Sequence, residues 1–575
     1  MTEPLTIADR RLALRRRFPV WQPISLARWL DRCAADYPQR PFVLSDATAQ
    51  TYRDVAEQSR HLAAGLAALG VRSGDRVGMV LANHPQFVAV KFAIARVGAV
   101  AVPFNYLYRQ DELAFVLADS RCRILITMSE FGSLDYQDML DGIVPGWDAP
   151  GFHRRARTAD EVPDLRGVVV VPTGAAPRRG ALSLRELTDM GRARLPLFEA
   201  PAVDPASAGD MLYTSGTTGS PKGVVVSHDA VLRTAYASAL TRAFEDGRRI
   251  LSSLPCYHMF GYVEGLLAVM YVGGAIIMQP SFSPEGYFGG IEKHRATDIL
   301  CVPTMAVALV QSPARFDYQL SSLRAILCGS APAPVWLWQQ VVSDFAVTEI
   351  VTGYGMTECG GAMTLTLPED PLENLTTTVG RPKMAGAAGI TDTDALVRYR
   401  TVDPDTFTDT AGEGELVSTG PTVMTGYWNR PFDTERTLRD GWLRSGDLGR
   451  IRPDGYLQVT GRSKELYKSG GELVMPKEIE DLLARHPGIS QVFAIGLTDE
   501  RWGEIGCVVV VPAPGHGVTE SDILQVCREK LARFKVPKRV VFYRAEDLPT
   551  TPTGKVQKYR LVQQITGSRE PAHGT

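Results

Sequence analysis

Residues 213–223 read Tyr-Thr-Ser-Gly-Thr-Thr-Gly-Ser-Pro-Lys-Gly, a run of hydroxyls and glycines that closes on a single lysine. Gly216, Gly219 and Gly223 carry no Cβ, so the backbone there can approach an anion and turn its N–H groups inward as a nest. Thr214, Ser215, Thr217 and Thr218 add hydroxyl donors, and Lys222 adds a compact positive charge. A polyphosphate is the ligand this mixture suits. The spacing is not that of a Walker loop, in which lysine directly follows glycine and precedes a hydroxyl residue; here Pro221 precedes Lys222 and Gly223 follows it. A flexible linker has a similar composition. Asp210 to Tyr213 and Val224 to Val226 read as strands, however, which makes the loop a tight strand connection.

Three further clusters carry chemistry. Thr352-Gly-Tyr-Gly-Met-Thr-Glu358 follows a predicted strand over 348–351 and supplies an aromatic face at Tyr354, a hydroxyl at Thr357 and a carboxylate at Glu358. A nucleotide needs that mixture: a surface for the base, a donor for a phosphate and a hard oxygen ligand for Mg²⁺. Alone, the cluster also fits any strand end that runs into a helix N-terminus. The third is Trp442-Leu-Arg-Ser-Gly-Asp447, followed by Gly461-Arg462-Ser-Lys464-Glu465. Asp447 is suited to accept from a ribose diol and Arg462 to reach the same sugar or a phosphate, although a β-turn and a surface arginine would look alike. The fourth is Pro549-Thr-Thr-Pro-Thr-Gly554-Lys555, a lysine on a glycine turn in a tail-like segment where solvated lysines are common.

The elements that must position these groups alternate. A helix over 52–69 places Val55, Leu62, Leu66 and Leu69 near one face, and Gly74-Asp75 then turns into a strand over 76–81. Helices over 85–96 and 111–119 alternate with strands over 99–102 and 124–127, which predicts βαβ units and a mostly parallel sheet. Residues 133 to about 208, rich in Gly, Pro and Arg, read as loops over this first subdomain. Buried strands recur at 299–302 and 325–328, each leading into a turn. From about 385 to 460, short β-like runs separated by Asp, Gly and Pro predict a small β-rich subdomain. A final unit of about 110 residues shows helix, strand and helix patterns over 476–485, 492–495 and 520–533. The fold class is therefore α/β: a large N-terminal domain of two α/β subdomains plus a small β-rich one, then a small α+β C-terminal domain.

At 575 residues the chain is long enough for several folding units, with 45% hydrophobic and 22% charged residues. A formal net charge of −2 argues against nucleic acid as a partner. Arg15-Arg16-Arg17 reads as the cap of an N-terminal segment. No apolar stretch approaches the roughly 18 residues of a membrane span, and the start lacks the pattern of a secretory signal. The expectation is a cytoplasmic protein. Eight dispersed cysteines form no Cys-x-x-Cys pair and signal neither zinc nor a disulfide framework, so most should be buried thiols.

The four clusters, in this order, resemble the acyl-adenylate-forming superfamily of acyl- and aryl-CoA synthetases, luciferases and nonribosomal peptide adenylation domains. The resemblance runs from about residue 25 to 562. It implies that the loop over 213–223 holds the ATP phosphates and that Thr357 and Glu358 serve phosphate and Mg²⁺, with Glu358 the metal ligand. Gly329, Ser330 and Ala331, with Gly353 and Tyr354, match the adenine pocket, and Asp447 and Arg462 match the ribose contacts. Lys555 matches the lysine that bridges carboxylate and α-phosphate during adenylation. The resemblance further implies an adenylation core over 1–461 and a mobile lid over 465–575 that rotates about Lys464 between two steps. Rotation would withdraw Lys555 and bring in Lys468-Ser-Gly-Gly-Glu472, whose glycines can line a thiol tunnel. Two positions differ from the usual pattern: Glu465 stands where aspartate is usual, and Leu473 where many CoA ligases have asparagine.

Pro255-Cys-Tyr-His258-Met-Phe-Gly261-Tyr262 resembles the segment gating the acyl pocket of fatty-acid and aryl-acid CoA ligases; a packed structural role for His258 fits equally. Glu264 is the sole acid over 260–266, with no clear equivalent of the aspartate that holds an amino-acid amine. A simple fatty or aryl carboxylic acid is the expected substrate, activated with ATP and Mg²⁺ and passed to coenzyme A. The chain ends within twenty residues of Lys555, which favours a diffusible acceptor. The alternatives are adenylation followed by delivery to a carrier protein or other nucleophile, activation of another oxyanion such as nitrite, and a nucleotide-binding relative without catalysis. The resemblance leaves room for a homodimer.

Overall fold

The computed structural model describes residues 5–149, 151–152, 162–214, 221–329, 333, 335–462, 465–469, 472–499, 503–515, 517–531, 535–551 and 554–567. Two large sheets dominate the first 380 residues. One has eight strands in the order Gly426–Tyr427, Lys222–Ser227, Ala208–Thr214, Val100–Pro103, Arg76–Val80, Ile124–Met128, Gly167–Val171 and Leu182–Ser183. Its central pairs are parallel, and Val100–Pro103, Ile124–Met128 and Gly167–Val171 are buried along their whole length. Strands covered on both faces read as unbroken apolar runs, and these do. The other large sheet has seven strands, with Glu349–Val351, Ala325–Cys328, Asp298–Cys301, Arg249–Ser252 and Ala275–Met278 in parallel succession.

Residues 133–208 are not the loop cover expected of them. Gly167–Val171 pairs in parallel with Ile124–Met128 inside the eight-stranded sheet, and Leu184–Arg194 is a helix packed on the helix Tyr52–Ala68. The helices approach so closely that a methyl on Gly191 would stand 1.7 Å from the His61 carbonyl oxygen. The Gly-Val-Val-Val-Val run carried the signal for the strand, obscured by the Pro- and Arg-rich stretches around it.

The 352–358 cluster is also placed differently: not a strand running into a helix, but a hairpin. Gly353–Met356 pairs antiparallel with Gly361–Leu365, and the short 3₁₀ turn Thr357–Cys359 joins them. The β-rich subdomain is present as expected, with Arg398–Val402, Gly414–Thr419, Trp442–Ile451 and Leu457–Arg462 in one antiparallel sheet.

The C-terminal unit wraps Ile489–Asp499 and Gly503–Pro512 with helices on both faces. Val508 and Val510 face Ile479, Leu483, Ile523 and Cys527, whereas Cys507, Val509 and Val511 face Leu561 and Ile565. This is the period-2 alternation of a strand.

The N-terminal helix Ile7–Arg17 is capped by Thr6 and Asp9 and ends on the arginine run. Arg10 lies 3.0 Å from Glu245 and 2.5 Å from Glu349, and Arg15 lies 2.6 Å from Asp394. Arg10, within the helix, and Arg15, in the run, thus tie an N-terminal element to later parts of the chain. All eight cysteines are buried free thiols. Among the described residues no helix is long and apolar enough to cross a membrane.

Candidate active site

Ala208–Thr214 and Lys222–Ser227 form an antiparallel pair with Thr214 opposite Lys222. Ser215, Gly216, Thr217 and Thr218 lie outside the described residues, as do Ser330, Ala331, Lys464 and the side chains of Arg462 and Lys468. The two flanks of the loop are fixed by residues distant in sequence. The Tyr213 hydroxyl donates to Asp119 Oδ2 at 2.6 Å, and Arg430 pairs with the same carboxylate at 3.3 Å. Lys222 Nζ lies 2.9 Å from Asp433 Oδ1 and 5.2 Å from the centroid of the Tyr427 ring. These partners arrive because Gly426–Tyr427 adds itself as an antiparallel strand to Lys222–Ser227.

Tyr427 also reaches the second cluster, donating from its hydroxyl to Glu358 Oε1 at 2.8 Å. Glu358 and Lys222 therefore flank one phenol ring. Thr357 and Glu358 are buried, and Met424 N–H donates to the Glu358 carbonyl at 2.7 Å, fixing the turn. Tyr354 donates to Asp447 Oδ2 at 2.5 Å. Burial, and then the Asp447 charge, holds the Tyr354 phenol well above its ordinary pKa, so it remains a donor. Asp447 and Arg462 are direct register partners on adjacent strands, which brings these two positions together across fifteen residues. A carboxylate offers about four lone-pair sites, so Asp447 can serve Tyr354 and a diol at once. Gly353 sits where a methyl would stand 2.4 Å from the Thr364 carbonyl oxygen, and Gly329 where one would meet the Phe260 ring at 3.3 Å.

Lys555 comes from the C-terminal unit on a tight turn. Thr551 N–H donates to the Lys555 carbonyl at 2.7 Å, and Thr550 pairs with Val556. The turn rests on the N-terminal domain: a methyl on Gly554 would stand 2.8 Å from Val302 Cγ2, just before the helix Pro303–Gln311. His258 is pushed down to about 4, first by burial and then by the Lys555 charge. The His258 Nδ1 accepts from Phe260 N–H at 3.3 Å, so the imidazole also stabilises its own turn.

Gly554 has φ +74°, a conformation costly for any side chain, on top of the contact with Val302. Gly554→Ala is therefore expected to slow adenylation about tenfold or more. Thioester formation from preformed acyl-adenylate should be kept. Equal losses in both steps would count against the docked turn as the cause.

The remaining pocket candidates face inward to the core. Phe260–Leu267 is a π-helix, an uncommon turn often found at functional sites. A methyl on Gly261 would stand 2.4 Å from the Leu254 carbonyl oxygen, so this glycine lets two backbone segments pack together. Tyr262 is buried with its hydroxyl 3.3 Å from Asp210 Oδ2 and its ring 5.0 Å from Lys91 Nζ. Lys91 in turn lies 2.6 Å from Asp210 Oδ1. Glu264 is fully buried and lies 2.6 Å from Lys383 Nζ. Two buried ion pairs thus anchor the π-helix, one beside Tyr262 and one at Glu264. Among the described residues, no cluster of His, Cys, Asp and Glu could hold a metal alone.

Sequence reasoning missed Tyr427, Asp433 and Asp119, each of which touches a residue it singled out, and Asn83, whose amide ties down the Leu254–Cys256 backbone at 2.8 and 2.9 Å. None of these has a local motif. Gly-Tyr-Trp-Asn-Arg-Pro at 426–431, a strand end followed by a helix start, was the one available cue.

One unit holds the flanks of the 213–223 loop and the 353–365 hairpin, and a second seats a glycine–lysine turn against it at Val302. The chain belongs to the AMP-binding enzyme family, whose profile matches residues 30–428, with the profile of the AMP-binding enzyme C-terminal domain matching 478–555. It is 34% identical over 92% of its length, and 97% of the relative's, to a Mycobacterium tuberculosis ligase that joins a methyl-dioxo-octahydro-indenyl propanoyl group to CoA. A feruloyl-CoA synthase of Amycolatopsis is 33% identical, covering 93% of this chain and 97% of that one. The mitochondrial medium-chain acyl-CoA ligase of Mus musculus is 30% identical, with 93% and 86% covered. Among solved structures, the anthranilate CoA ligase in complex with anthranoyl-AMP superposes with a TM-score of 0.81 at 25% identity, covering 96% of this chain and 99% of that one. ATP-bound MatB from Rhodopseudomonas palustris gives a TM-score of 0.79 at 26% identity, with 95% and 100% covered. The chain is an AMP-forming acyl-CoA synthetase with ATP and CoA as co-substrates.

Proposed function

We propose that the enzyme activates an apolar carboxylic acid, fatty or aryl, with Lys555 as the residue that brings carboxylate and α-phosphate together. The observation that carries this reading is the Gly554–Lys555 turn seated on Val302, with its charge felt at His258. A carboxylate is a poor acyl donor because oxide would have to leave. It therefore attacks the α-phosphorus of ATP, the bond to the β-phosphate oxygen breaks, and pyrophosphate departs. Negative charge concentrates where two anions meet, and a fixed cation at that point lowers the barrier by electrostatics and positioning.

Thr214, the loop over 215–218 and Lys222 hold the departing phosphates in this reading. Glu358, with Thr357, would hold Mg²⁺, which would supply charge neutralisation on the polyphosphate. One carboxylate suits that ion, since Mg²⁺ keeps several waters and takes its other oxygens from phosphate. Tyr354, Gly353 and the 329–331 turn take the adenine, and Asp447 and Arg462 the ribose. In the second step the CoA thiol loses its proton and attacks the acyl carbon, releasing AMP.

For that step the lid over 465–575 rotates about Lys464, taking Lys555 away and presenting Lys468. His258, Gly261 and Tyr262 border the acyl pocket, with Gly261 and Tyr262 acting through the backbone and the core. Glu264 is locked to Lys383 and is not offered to a substrate ammonium, which supports an acid without an α-amine. Eight unpaired cysteines suit a reducing compartment, and we place the reaction in the cytoplasm. The enzyme acts as a monomer or a homodimer.

Pyrophosphate release screened over aliphatic and aromatic acids, with AMP and thioester followed with and without CoA, tests the assignment. Release confined to amino acids would overturn the substrate class. Acyl-adenylate that never passes to CoA would overturn the assigned transfer step.

A further inference from the structure

Lys222 does not meet its surroundings as an isolated cation. Its ammonium sits 2.9 Å from Asp433 Oδ1 and 5.2 Å from the Tyr427 ring, and the two charged side chains are 15% and 31% exposed. Asp433 belongs to the first turn of the helix Pro431–Thr437. Its carboxyl is held below the ordinary carboxylate range, first by the hydrogen bond from Lys222 and then by the charges of Lys222, Arg430 and Arg436. Arg430 is engaged elsewhere, 3.3 Å from Asp119. The strand Gly426–Tyr427 delivers this helix to the loop by pairing with Lys222–Ser227, so the contact is built into the sheet.

A polyphosphate that draws on Lys222 arrives beside a carboxylate already holding it. The two anions repel, and they compete for one ammonium with three donors. Binding is weakened and departure is eased, because Asp433 recovers full possession of the lysine as pyrophosphate leaves. We propose that Asp433 is a positioning residue for the loop lysine, a resident counter-anion that holds Lys222 between turnovers and promotes release of pyrophosphate. This rests on the reading of Lys222 as a phosphate clamp.

The experiment compares the wild type with Asp433→Asn, Asp433→Glu, Lys222→Gln and the Lys222→Gln/Asp433→Asn double variant. The measured quantities are the KM for ATP, kcat, and the inhibition constant for added pyrophosphate. Asp433→Asn is expected to lower both the KM for ATP and the pyrophosphate inhibition constant about fivefold, the size of a partly exposed ion pair. Asp433→Glu should return both toward wild type. In the Lys222→Gln background, Asp433→Asn should change both constants less than it does with Lys222 present, since only the direct repulsion is then relieved, and transfer from preformed acyl-adenylate to CoA should be unaffected in both Asp433 variants. Weaker or unchanged pyrophosphate inhibition in Asp433→Asn, while Lys222→Gln alone weakens it, would overturn the proposal and leave Lys222 as a phosphate clamp. If Lys222→Gln changes neither constant, the phosphate reading of Lys222 fails and the proposal with it.

Discussion

Lys555→Ala is expected to slow adenylation by about 10²- to 10³-fold, the usual cost of removing one preorganised charge from a developing anion. Thioester formation from preformed acyl-adenylate should proceed at nearly the wild-type rate. The asymmetry follows from where the lysine sits. It rides on the Thr550–Val556 turn, which contacts the N-terminal domain at Val302, and its charge helps lower the His258 pKa. A residue serving only the first step is withdrawn for the second, so its loss should register in one half-reaction. Rapid-quench measurement of each half separately gives the test. A parallel fall in both would mean that the lysine stays in place throughout and that the lid does not exchange its groups.

Lys383→Met is expected to be strongly destabilising. Lys383 and Glu264 are both fully buried and lie 2.6 Å apart. Burial pulls the Lys383 pKa below its ordinary value, and the Glu264 charge opposes that pull. Removing one member strands the other charge in the core, a loss of about 3–5 kcal/mol, whereas replacing both with neutral groups of similar volume is often tolerated. The Glu264→Gln/Lys383→Met double variant should therefore recover much of what the single change loses. Thermal and urea unfolding read by tryptophan fluorescence would show this. A double variant as unstable as Lys383→Met, or a single variant within about 1 kcal/mol of wild type, would show that the pair is not the anchor described. Because Glu264 lies in the π-helix that follows His258, adenylation should decline with stability.

The strands flanking the 213–223 loop were legible because Val224, Val225 and Val226 form an apolar run between Gly223 and Ser227. The C-terminal lysine was legible only through its company: Gly554 and Lys555 say little until the other clusters are set beside them. The 353–365 hairpin was not legible, since Gly355, Gly360 and Gly361 lack the alternation of side chains that marks a strand. Tyr427 and Asp433 were beyond local reading. Each acts on a residue more than 60 positions away, Tyr427 on Glu358 and Asp433 on Lys222, through a strand pairing decided by the whole sheet. The buried pairs at Lys91 and Lys383 were hidden for a related reason. A lysine, whether in an apolar helix like Lys91 or in a connecting segment like Lys383, reads as surface until its carboxylate partner, 119 residues away for both Lys91–Asp210 and Lys383–Glu264, is placed against it.

The strand Gly426–Tyr427 completes the edge of the eight-stranded sheet against Lys222–Ser227, with the Thr425 hydroxyl bonding the Val225 carbonyl across 200 residues. At 5–20 residues per second of synthesis, the Val-Val-Val strand emerges roughly 10–40 s before its neighbour exists. During that interval an apolar strand with free N–H and C=O groups faces the crowded exit of the ribosome, the exposure that favours mispairing with another chain. A fragment ending before Gly426 would keep that edge open permanently. The place to divide this protein for expression therefore lies after the β-rich subdomain, and slow decoding between the two strands should cost yield even where every encoded residue is correct.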